Sequence, residues 1–175
     1  GWGDSQDGNN PDQFPTDETQ QTDFDEDGYG DNLSGNEGDA CPDTWGNSWR
    51  DVLGCPDVDG DGTSDAGDVF PSDWSQWQDS DGDDLGDNWA NPHWNDSRDA
   101  HWPGEYIPGA TNSDRYPLDR DGDGWEDENA TDALEPWDDC PDEPGDSWQD
   151  RFGCPDNDGD GWSDDYDAFP SEHTQ

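Results

Sequence analysis

Apolar residues are scattered singly or in pairs along this chain, and no stretch sustains the spacing of about 3.6 residues that marks an amphipathic helix. Gly and Pro interrupt the sequence every ten residues or so, leaving weak helix and strand signals throughout. The pattern predicts short helical turns near Ser48–Leu53 and Ser147–Phe152 and little other regular structure. What recurs is polar. In Asp57-Val-Asp-Gly-Asp-Gly-Thr-Ser-Asp-Ala-Gly-Asp-Val-Phe-Pro71 and in Asp156-Asn-Asp-Gly-Asp-Gly-Trp-Ser-Asp-Asp-Tyr-Asp-Ala-Phe-Pro170, Asp occupies relative positions 1, 3, 5, 9 and 12, with Gly at 6.

These two loops belong to a duplication. Shifting the sequence by 99 residues superposes Cys41–Ser72 on Cys140–Ser171 with 21 of 32 positions identical, including Trp49 on Trp148 and Gly54 on Gly153. That agreement goes beyond a shared bias towards Asp. A shorter repeat lies beneath it, with Asp23, Asp25, Asp27 and Asp31 in one loop, Asp79, Asp81, Asp83 and Asp87 in another, and Asp119, Asp121, Asp123 and Asp127 in a third. The two complete loops contribute Asp57, Asp59, Asp61, Asp65 and Asp68, and Asp156, Asp158, Asp160, Asp164 and Asp167. Five acidic loops result.

An Asp-x-Asp-x-Asp-Gly run places three carboxylates on alternate residues, and the Gly permits a turn sharp enough for them to converge. Carboxylates that close repel one another by roughly several kcal/mol in a partly solvated site, and a divalent cation reverses the sign. Hard oxygen ligands around a Gly turn suit calcium, with positions 1, 3 and 5 as ligands, a backbone carbonyl at 7, position 9 direct or through water, and position 12 closing the site. EF-hands and dockerins are excluded. Both need helices flanking the loop, and an EF-hand ends on a bidentate Glu at position 12. Here position 12 is Asp, Ser or Ala, with Pro close behind in the best loops.

Composition rules out an ordinary globule. Leu, Ile, Val, Phe and Met total 14 residues, and 50 Asp plus Glu face 5 Lys plus Arg, for a net charge of −45. Such values mark a solvated acidic coil. Fixed acidic spacings, twelve tryptophans and four cysteines count instead for an ion-ordered fold. The cysteines, each followed by Pro, repeat one fourteen-residue spacing, which favours Cys41–Cys55 with Cys140–Cys154 among three connectivities. Disulfides imply an oxidising, extracellular or cell-surface setting. Zinc is disfavoured, since no C-x2-C spacing occurs and the histidines lie elsewhere.

The loop grammar resembles the thrombospondin type 3 repeat, D-x-D-x-D-G-x-x-D-x-x-D followed by x-C-P or x-F-P, over most of Asp12–Pro92 and Leu118–Gln175. The resemblance implies calcium held by loop side chains, little regular secondary structure, and disulfides bracing an elongated tandem array. The chain departs from that pattern where Asp84 replaces the turn Gly and where Ser34, Ala90 and Ala130 replace the twelfth-position Asp. The sites at Asp79 and Asp119 are therefore expected to be weaker, or completed from outside the loop. The organisation expected is a degenerate repeat or junction at 1–11, a first repeat block at 12–92, a Trp- and Pro-rich connector at 93–117, and a second block at 118–175.

Trp49 and Trp148 occupy matched places between the cysteines, which favours a shared packing role over exposed stacking on sugars. Sequons at Asn32, Asn95 and Asn129 predict N-glycosylation. No pair of carboxylates is singled out as acid and base and no nucleophile motif is present, so no catalytic residue is expected. His93 and His101 read as loop residues. The charge disfavours nucleic acid, and no apolar run is long enough to insert in a bilayer. Gln76-Trp77-Gln-Asp79-Ser80 resembles Gln175 joined to Gly1-Trp2-Gly3-Asp4-Ser5, so the chain reads as one period of a continuing array that associates with itself. The function expected is a calcium-rigidified structural rod, stalk or filament segment, with a glycan-binding or adhesion module and an acidic calcium buffer as alternatives.

Overall fold

The computed structural model describes residues 11–96, 98, 101–128 and 136–173. Residues 1–10, the sequon at Asn129 and the terminal Gln175 lie outside them. Among the described residues the sole helix is a 3-10 turn at Pro92–Asp96, and β-pairing is confined to isolated bridges. Local Asp side chains explain this. Asp12, Asp39, Asp68, Asp114, Asp138 and Asp167 each accept a hydrogen bond from the backbone N–H two residues on, which competes with helix and strand ladders. The helical turns expected at Ser48–Leu53 and Ser147–Phe152 do not form. The N–H groups of Trp49 and Arg50 both donate to the Gly62 carbonyl, and those of Trp148 and Gln149 to the Gly161 carbonyl, so these segments are tied across to the acidic loops.

The chain divides into two compact units, Gly1–Trp77 and Gln78–Gln175. The first holds the loops beginning at Asp23 and Asp57, and the second those at Asp79, Asp119 and Asp156. Among the described residues neither has an ordinary apolar core. The buried apolar side chains are Cys55, Trp89, Leu118 and Cys154, whereas Trp45, Trp49 and Trp148 are each 58 % exposed. The packing role expected of Trp49 and Trp148 is therefore partial: each lies against its loop at Gly62 or Gly161 and leaves much of its ring in solvent. Buried positions are mostly polar, and several are satisfied by backbone groups. Gln20, for example, donates to the carbonyls of Asn32 and Asn36 and accepts from the Asn32 N–H.

Each unit contains one disulfide, Cys41–Cys55 and Cys140–Cys154, with Cα atoms 5.1 and 5.0 Å apart. Closing a loop of this length removes about 3 kcal/mol of chain entropy from the unfolded state. Duplicated polar braces fix the disulfide loops to the acidic loops. The Ser48 and Ser147 hydroxyls accept from the N–H groups of Cys55 and Cys154. Asp51 takes both the N–H and hydroxyl of Ser64, and Asp150 does the same with Ser163. Burial acts upward on the pKa of these two carboxyls, but the serine bonds outweigh it and hold both below the usual value.

Candidate metal centres

Five triplets of carboxylates converge among the described residues: Asp23, Asp25 and Asp27; Asp57, Asp59 and Asp61; Asp79, Asp81 and Asp83; Asp119, Asp121 and Asp123; Asp156, Asp158 and Asp160. In each, the candidate ligand oxygens lie within 4.8 Å of one another. One hydrogen-bond pattern produces all five. In four loops the position-1 carboxylate accepts from the N–H groups at positions 4 and 6, as Asp57 does from Gly60 and Gly62. Asp23 instead takes those of Asp27 and Gly28. Positions 3 and 5 each accept from the N–H two residues ahead, as Asp59 does from Asp61 and Asp61 from Thr63. These bonds curl the backbone so tightly that positions 4 and 6 have positive φ. Glu26 (63°) and Asp84 (73°) are therefore strained where other loops carry Gly.

Position 9 locks each loop by accepting from the N–H at position 2: Asp31 from Phe24, Asp65 from Val58, Asp87 from Ser80, Asp127 from Arg120 and Asp164 from Asn157. Asp87 also binds the Ser80 hydroxyl through its other oxygen.

Position 12 is where the structure adds most. In the two complete loops the N–H of Asp68 donates to the carbonyl of Ser64, and that of Asp167 to Ser163, the residue at position 8. The other three loops make the same bond with an Asp farther along the chain. Asp39 donates to Gly30, Asp114 to Gly86 and Asp138 to Glu126. Asp39, Asp114 and Asp138 thus take the closing bond that the twelfth-position count assigned to Ser34, Ala90 and Ala130. The loops at Asp79, Asp119 and Asp23 therefore each meet, at the position-8 carbonyl, an Asp from beyond the twelve-residue run. Sequence reasoning passed over these three carboxylates, although each begins the Asp-x-(Cys/Tyr)-Pro segment that parallels Asp68-Val-Phe70-Pro71.

Their burial and electrostatics place them against the triplets. Asp39 is 1 % exposed and Asp114 and Asp138 are each 5 % exposed, and one oxygen of each has no hydrogen-bond partner. The same holds for one oxygen of Asp25, Asp59, Asp61, Asp121, Asp127 and Asp158. Burial first, then neighbouring carboxylates, pushes Asp81 up to about 8, with Asp114 the foremost of those neighbours. Burial also lifts Asp114 and Asp138 to about 7, helped by Asp83 in one case and Asp123 and Asp121 in the other. Asp68, Asp121 and Asp127 rise to about 6 for the same leading reason. Burial raises Asp39 as well, with Asp27 and Asp25 adding to it. Buried carboxylate oxygens that lack a donor and face other carboxylates fit a hard cation, and the donor set is oxygen throughout.

The remaining sequence-stated sites fall as follows. Asn32 is exposed, donating to the Thr19 carbonyl and accepting from Ser34. Asn95 is exposed and accepts from the Trp89 indole, while Ser97 of its sequon lies outside the described residues. No family model and no curated protein matches the chain.

Proposed function

We propose that this chain is an extracellular, calcium-binding structural repeat protein of thrombospondin type 3 character, in which calcium orders five acidic loops into a stiff segment of a rod, stalk or filament. The observation carrying this reading is the recurrence of one ligand pattern in five loops, each closed by an Asp at the same backbone address, even across insertions. Calcium is preferred to magnesium because the candidate donors are all oxygen and mostly carboxylate, a set that suits the higher coordination number of calcium. A metal-free chain at net charge −45 repels itself, and the ions supply the compensating charge. Two disulfides suit an oxidising compartment, and among the described residues no helix is long and apolar enough to cross a membrane.

On this reading order propagates from repeat to repeat, as in other quasi-linear proteins. On this reading the chain's partners are further copies of itself, and its role is mechanical, not catalytic. The exposed Trp45, Trp49 and Trp148 favour one second reading, a calcium-dependent module that stacks on glycans. Electron microscopy of native material with and without a calcium chelator tests the first. Extended particles that lose order on chelation are expected; particles indifferent to calcium removal would overturn it.

A further inference from the structure

Between Asp87 and Asp114, positions 9 and 12 of the third loop, the chain makes its longest excursion from the repeat. The chain returns to that loop at Ser113, which bridges to Gly86, and the Asn88 side chain accepts from the Glu105 N–H. At the centre sits Arg98. Its Nη1 donates to the Asp87 carbonyl at 2.9 Å and the Pro103 carbonyl at 3.4 Å, and its Nη2 donates to the Asp114 carbonyl at 2.5 Å. The guanidinium lies 4.4 Å from the Trp89 ring centroid, with Trp94 and Trp102 at 5.7 and 5.8 Å. Trp89 is itself buried and anchored through its indole to Asn95 and through its backbone to Glu105 and Ile107.

One planar fork therefore holds the backbones of two residues that lie a whole insertion apart and whose carboxylates neighbour the same triplet. We propose that Arg98 is a positioning residue for the third cation site: it sets the reach of Asp87 and Asp114, and it makes that site contingent on the packing of Arg98 against Trp89. The proposal rests on the reading of the Asp triplets as cation sites. Arginine is specifically suited. Its planar donors diverge towards separate carbonyls while its face stacks on indole, whereas a lysine ammonium is a single point donor. Residues that orient ligands from outside the ligand shell typically govern metal affinity by about 10–100-fold.

The test is a calcium titration of the 15N-labelled full chain by NMR, with one amide reporting on each site. The Asp84 N–H, donated to Asp79, follows the third site, and the Gly161 N–H, donated to Asp156, follows the fifth. Arg98→Ala is expected to move the Asp84 midpoint to about tenfold or higher calcium and leave Gly161 in place. Arg98→Lys, which keeps the charge and the aliphatic stem, is expected to recover only part of the loss, and it carries the test alone if the alanine variant does not fold. An unmoved Asp84 midpoint, an equal shift at Gly161, or full recovery by lysine overturns the assignment. A wild-type chain with no calcium response at either amide overturns the cation reading itself.

Discussion

Replacing Asp138 by Asn isolates the closing ligand of the fourth loop. The substitution is nearly isosteric, and the amide oxygen can still accept from the Cys140 N–H, so the local turn is retained. What disappears is a negative charge on a 5 % exposed group whose second oxygen has no protein partner. A divalent ion about 4 Å from that charge gains about 8 kcal/mol at an effective dielectric constant near 20. Against this stands the penalty already loaded on the carboxylate by burial and by Asp123, Asp121 and Asp127, which raises its pKa from 3.8 to about 7. That rise corresponds to about 4 kcal/mol. The surplus is therefore about 4 kcal/mol, of which a neutral amide ligand retains part, so affinity at the fourth site should fall about a hundredfold. The Gly124 N–H, donated to Asp119, provides the site-resolved readout in a calcium titration by NMR. Calorimetry near pH 6.5 in buffers of different ionisation enthalpy should also show fewer protons released on binding, because Asp138 must lose its proton to ligate. An unchanged Gly124 midpoint would refute the claim that Asp138 closes this site.

Asp84→Gly relieves a non-Gly residue held at φ 73° at the turn position that is Gly in the other four loops, and should stabilise the calcium-loaded chain by about 1 kcal/mol, read as a higher midpoint of denaturant unfolding. The pH dependence of the metal-free chain follows from Asp68, Asp81, Asp114, Asp121, Asp127 and Asp138, all raised in the folded state. A fold that binds more protons than its unfolded chain is favoured below the unfolded carboxylate pKa and loses that advantage as pH rises through the folded values. The chelated chain should therefore show more amide protection from hydrogen exchange at pH 5 than at pH 8, and calcium should abolish the difference; greater protection at pH 8 would contradict the burial of these groups.

The triplets and the position-9 carboxylates were legible in the sequence because their geometry is local. Asx-type bonds two to seven residues long dictate it, and such bonds leave a fixed spacing. The disulfides were legible because the duplication repeats one cysteine spacing. Asp39, Asp114 and Asp138 were not, because their place is set by a tertiary hydrogen bond to the position-8 carbonyl instead of by a count of residues. Residues that read as a connector, His93 to Pro117, include the cation and indoles that gather beside the third loop, and nothing in their spacing marks a return to Gly86. The helical turns expected within the disulfide loops failed for a related reason: Gly62 and Gly161 offer carbonyls to two consecutive N–H groups each, and those tertiary acceptors displaced the local ones.

The position-8 carbonyl gives this architecture an unusual tolerance. Asp65 and Asp68 are three residues apart, but the equivalent pairs Asp31 and Asp39, Asp127 and Asp138, and Asp87 and Asp114 are separated by eight, eleven and twenty-seven. The closing Asp meets the same acceptor in every case. Chain inserted at that point therefore leaves the closing contact of its own loop unaltered, much as a branch leaves the stem intact. Such a fold can acquire new surface, an aromatic cluster in one loop and a sequon in another, by lengthening one permitted gap, and its periodicity is counted in closing carboxylates, not in residues.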